Sequence, residues 1–69
     1  MKIIESDNVM DHILNIQNTF SDLIHHLRHD AEQIKDERAK AMFETSAEVI
    51  QALSKTFDDY SKQSEAAWK

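Results

Sequence analysis

The chain has 69 residues with no Gly, Pro or Cys; 41% of residues are hydrophobic, 30% are charged, and the formal net charge is −5. That length allows one small domain, and the missing residue types exclude a disulfide framework, a thiol nucleophile, a zinc–thiolate centre and a glycine-rich phosphate cradle. A sheet protein rich in tight turns is excluded on the same ground, and the regular spacing of apolar residues excludes a disordered chain, which leaves the all-α class.

The opening Met1-Lys2-Ile3-Ile4 turns polar at Glu5, before the apolar stretch of an export signal could develop. No run approaches the ~20 apolar residues of a membrane span. The expected address is therefore cytoplasmic, with no membrane partner. The first sustained pattern is Val9, Ile13, Ile16, Phe20, Leu23, Leu27 and Ile34. In heptad terms Ile13, Phe20, Leu27 and Ile34 take a positions; Val9, Ile16 and Leu23 take d, where Asp30 is the next occupant. Met10, Ile24 and Ala31 flank the seam at e, so the stripe is wider than a two-stranded coiled coil requires. The pattern predicts a helix over about 7–33, with Ser6 or Asp7 as its N-cap.

A turn is expected at about 33–36, with Asp36 capping a second helix and Glu37 placed well against its dipole. A break at His29–Asp30, or one unbroken helix roughly 90 Å long, are the competing arrangements. The second helix, about 37–68, carries Phe43, Ser46, Ile50, Leu53, Phe57, Tyr60, Ser64 and Ala67 at alternating steps of three and four. Met42 and Val49 widen this stripe on one side, Ala47 and Trp68 on the other. Asp36–Lys40, Lys40–Glu44, Lys55–Asp59, Asp58–Lys62 and Glu65–Lys69 are i,i+4 pairs, each contributing about 0.2–0.5 kcal/mol. Ser46 and Ala47 form a small layer where helices can approach closely.

Folding the arms into an antiparallel hairpin joins the two stripes, but a lone hairpin rarely offsets an ordering cost of about 1.5 kcal/mol per residue. Apolar side chains at Met10, Ile24, Met42 and Val49 still face outward. The expected architecture is therefore an antiparallel two-helix hairpin that dimerises into a four-helix bundle. Its core and dimer interface would comprise Ile13, Ile16, Phe20, Leu23, Ile24, Leu27, Met42, Phe43, Val49, Ile50, Leu53, Phe57 and Tyr60. Tyr60, Trp68 and the Ile3-Ile4 tail would gather at one end, stapling the helix ends or forming a second contact region.

Candidate chemistry is sparse. His25 and His29 stand one turn apart with Asp22 nearby, an acceptable partial site for a divalent metal. Heptad register puts all three on the solvent side, where a second shell and exclusion of water are lacking. No Glu precedes a His by three residues, so a carboxylate-bridged di-iron bundle is excluded. Asp30, at a d position, is expected to be partly exposed, with Arg38 reaching across the turn or His26 pairing with it. Ser and Thr are scattered without an oxyanion loop. No cofactor, metal or catalytic residue is expected.

Three resemblances bear on function. The stretch His25-His26-Leu27-Arg28 resembles the His-Glu-Leu-Arg-Thr-Pro phosphoacceptor segment of sensor histidine kinase dimerisation domains, which are hairpins of this size. His26 stands where that family has its acidic neighbour, and no Pro follows; the resemblance implies phosphotransfer at His25. The architecture is similar to that of Rop-type RNA-binding hairpin dimers, whose binding face lies on the first helices. Here that helix lacks Lys and Arg until Arg28, and a net charge of −5 disfavours nucleic acid. The segment 43–68, from Phe43-Glu44-Thr45-Ser46-Ala47-Glu48-Val49 through Asp59-Tyr60 to Ala66-Ala67-Trp68, resembles small bacterial helical-hairpin proteins of unassigned role. That resemblance implies no substrate or cofactor. The expected function is a non-enzymatic interaction or regulatory protein whose acidic first helix docks a protein partner of unknown identity. The alternative is histidine phosphotransfer or divalent-metal binding centred on His25 and His29.

Overall fold

The computed structural model describes the backbone of residues 3–67 and the side chains of residues 3–63. Helix α1 runs Val9–Gln33 and helix α2 runs Glu37–Ala67, packed side by side as an antiparallel hairpin; among the described residues there is no strand. The α1 cap is Asn8, one or two residues later than Ser6 or Asp7. Asn8 adopts extended backbone (φ −83°, ψ 114°), and its side-chain oxygen accepts from the Met10 amide at 2.9 Å. Ser6 instead braces the cap: its hydroxyl accepts from the Asn8 amide at 3.0 Å and donates to Asp11 at 2.8 Å.

The chain reverses over Ile34, Lys35 and Asp36 without glycine. Ile34 closes α1 by donating its amide to the Asp30 carbonyl at 3.1 Å and then turns extended (φ −85°, ψ 130°). That region is open to any L-residue, and no described residue has a positive φ. Asp36 then opens α2, its carboxylate accepting from the Arg38 amide at 2.9 Å and the Ala39 amide at 3.3 Å. Two of the four free amide N–H groups of a helix start are satisfied this way, and an acidic group sits against the dipole. On α2, Lys55–Asp59 and Asp58–Lys62 close at 3.1 and 3.0 Å. Both pairs are exposed and contribute about 0.3–0.5 kcal/mol each.

The seam between the helices is built from small residues and one aromatic pair. Ala47 is 0%, Ala31 2% and Ile13 7% exposed, and among the described residues no large side chain is fully buried. Phe20 and Phe57 meet edge to face, with centroids 5.6 Å apart and planes at 82°. The line of α1 that meets α2 is therefore Ile13, Phe20, Ile24 and Ala31, the a and e positions. Turning these inward rotates the d line of Val9, Ile16 and Leu23 toward one open side. The Cα trace measures 49 × 24 × 12 Å. A slab of one helix layer can bury side chains only along the line where its helices touch.

Candidate interaction surface

The groove at the open end of the hairpin fixes which sides of the two helices look the same way. It is lined by Val9 and Ile13 of α1 with Thr56, Phe57 and Tyr60 of α2, and offers no polar surface. From Val9 the α1 side of this face continues in steps of seven through Ile16 and Leu23. From Tyr60 it continues back through Leu53, Val49 and Met42, at the seven- and four-residue steps that keep one side of a helix. Met42, Val49, Leu53 and Tyr60 are 46–59% exposed, and Val9 and Leu23 are exposed as well. Between Lys40 and Lys55 the only charged residues of α2 are Glu44 and Glu48, and both line a groove on the opposite side. The result is a continuous apolar face across both helices.

The opposite face is polar. Arg28, Ala31 and Glu32 stand over Glu44 and Glu48 near the turn. Gln17, Ser21 and Ile24 stand over Gln51, Ser54, Lys55 and Asp58 at mid-length. Arg28 donates to the Gln51 side-chain carbonyl at 2.9 Å, a hydrogen bond between side chains of the two helices. The chain exposes 5747 Å², whereas a compact monomer of 8.0 kDa would expose about 4,450 Å², so about 1,300 Å² is in excess. Stable interfaces take about 800 Å² from each partner. The excess is large enough to supply one.

The residues expected in the core and interface divide three ways. Ile13 is buried; Ile16, Phe20, Ile24, Leu27, Phe43, Ile50 and Phe57 are half-buried; Leu23, Met42, Val49, Leu53 and Tyr60 are exposed. Ile24 does not belong with Met42 and Val49 on an outward apolar flank: it sits half-buried at the edge of the seam that borders the polar face, beside Gln17 and Gln51. Ala31 and Ala47, read as flanking positions, form the tightest part of the seam because only a methyl side chain fits between closely approaching backbones. Leu14 lies off every heptad line and is exposed; nothing in the periodicity singled it out. Ile3 is exposed and Ile4 half-buried, while Trp68 lies outside the described residues.

The histidines do not converge. His25 and His29 are exposed, and among the described residues no three His, Cys, Asp or Glu side chains are grouped to hold a metal ion. Asp30 is half-exposed, and its neighbour is His29, with Nδ1 at 3.8 Å, in place of the expected His26 or Arg38. His12, which periodicity left aside, is anchored: its Nε2 lies 2.6 Å from the Ser6 carbonyl. A carbonyl only accepts, so that nitrogen carries a proton. No helix among the described residues is long and apolar enough to cross a membrane. Comparison with protein families, characterised proteins and solved structures finds no match to the chain.

Proposed function

We propose that the chain is a non-enzymatic interaction protein that self-associates through its apolar face into a four-helix bundle and presents its polar faces to a protein partner. One observation carries this reading: the uncharged, half-exposed line Met42, Val49, Leu53 and Tyr60 faces the same way as Val9 and Leu23. Contiguous apolar surface of this extent on a soluble helical protein marks an association site. A second hairpin laid on it converts a one-layer slab into two layers with an enclosed core, the arrangement in which helical hairpins become stable. The partner would meet what stays outside. The outer edge of α1 offers Asp11, Asn18 and Asp22 around the exposed Leu14, an acidic strip with one apolar anchor suited to a basic partner segment.

Self-association is tested by thermal melting over a hundredfold range of protein concentration. A folded dimer melts higher as concentration rises, because mass action favours the associated state. A melting temperature independent of concentration, with an intact helical signal, contradicts the reading.

A further inference from the structure

Resting on that dimer, we infer that the second copy packs turn-to-tail, with each loop beside its partner's open end, and that Asp30 selects this orientation by meeting the partner's His12. Asp30 continues the line of Val9, Ile16 and Leu23 on the apolar face and is the carboxylate a second layer would cover. It follows His12 by 18 residues, about five full turns at 3.6 residues per turn, so both point the same way off α1. They are also equidistant from Ser21, the midpoint of α1. Ser21 stands level with Gln51 and Ser54, which bracket Ala52, the midpoint of α2. A dyad through that level therefore carries Asp30 of each copy to the height of the other copy's His12, twice per dimer.

The turn-to-turn alternative brings the two Asp30 carboxylates to one level of the core. The acidic residues of α2 at that height are Glu44 and Glu48, on the polar face, and Arg38 stands about two to three turns nearer the loop. Each Asp30 keeps its own exposed His29, Nδ1 at 3.8 Å, in either arrangement; what the turn-to-turn dimer adds is a second covered carboxylate at the same level, a like-charge pair that is disfavoured. In the turn-to-tail dimer the His12 ring is already oriented by the Ser6 carbonyl at Nε2. Nδ1 is the ring nitrogen left to face the partner's Asp30, where an imidazolium would donate a charge-assisted hydrogen bond.

The native chain has no Cys, so Lys35→Cys carries a single nitroxide label on the exposed loop and leaves Asp30 and His12 untouched. Pulsed dipolar spectroscopy then reads the separation of the two loops. Turn-to-tail packing predicts one population at about 40 Å or more, the length of α1. A population within about 25 Å, expected when loops share one end of helix layers about 10 Å apart, overturns the orientation while leaving the dimer in place. Absence of dipolar coupling, with a monomer in sedimentation, overturns the dimer and the orientation with it. Adding Asp30→Leu removes the selecting charge, so the short-distance population should appear beside the long one. A distance distribution unchanged by Asp30→Leu contradicts the role given to that residue.

Discussion

The two faces of the hairpin are made from the same two helices and differ in what they leave unfinished. On the polar face, Arg28 reaches Gln51, Lys55 and Lys62 hold Asp59 and Asp58, and Ile24 is half-covered beside Gln17. Water completes the rest at no cost. On the apolar face, Met42, Val49, Leu53 and Tyr60 stay about half-exposed, and no solvent molecule can substitute for a packing partner. The hairpin seam is also thin, with two alanines and Ile13 as its buried residues. Cohesion between the helices and completion of the apolar face are thus separate demands, and substitutions should separate them.

The largest effect is expected from Leu53→Asp, which places an unpaired carboxylate in the middle of the apolar face in both copies. Each covered charge costs about 3–5 kcal/mol, so association should weaken more than a hundredfold, as read by sedimentation. A retained dimer would move the interface elsewhere. Next comes Ala47→Leu, which forces three extra carbons into a seam position with no exposure. It should lower stability by about 1–3 kcal/mol, seen as a lower urea midpoint. If the midpoint holds, the close approach of the helices is looser than described.

Asp36→Ala removes the acceptor of the Arg38 and Ala39 amides and should cost about 1 kcal/mol, with chemical denaturation as the check. On the polar face, Arg28→Ala and Lys55→Ala should each change stability by no more than about 0.5 kcal/mol and leave association unaltered. Smallest of all, paired His25→Ala and His29→Ala substitutions should leave both melting temperature and mass unchanged by zinc or by a phosphodonor. A zinc-dependent rise lost in that variant would revive the metal-binding alternative.

How much of this was legible in the sequence depends on the kind of residue. Helical class and a hairpin reversal follow from periodicity and from Asp36, because a carboxylate just before a helical run has few better uses than a cap. Which apolar residues face inward was less legible. Heptad bookkeeping treats a and d as the seam, but the short side chains of Ala31 and Ala47 let the backbones approach closely and rotate the seam toward e. That rotation exposes Leu23 and Leu53 and brings Ile24 in to the seam's edge on the polar side. A periodic pattern records how many apolar positions a helix has; the volume of the facing residues decides which of them meet. Asn8 was passed over for a related reason, since Ser6, Asp7 and Asn8 are all competent caps. Ser6 ended as the brace of Asn8 because its hydroxyl could serve Asn8 and Asp11 together. The interaction surface itself was visible as excess apolar width. Its confinement to one side required the register given by Val9 against Tyr60 and Gln17 against Asp58.

The central claim is that the apolar face is covered by a second copy. Sedimentation equilibrium of the full chain, from about one micromolar to several hundred micromolar, tests it most directly. Mass action predicts a particle of twice the 8.0 kDa chain mass at the upper end, dissociating on dilution. A single species of one chain mass at every concentration, with helical structure intact, would contradict it.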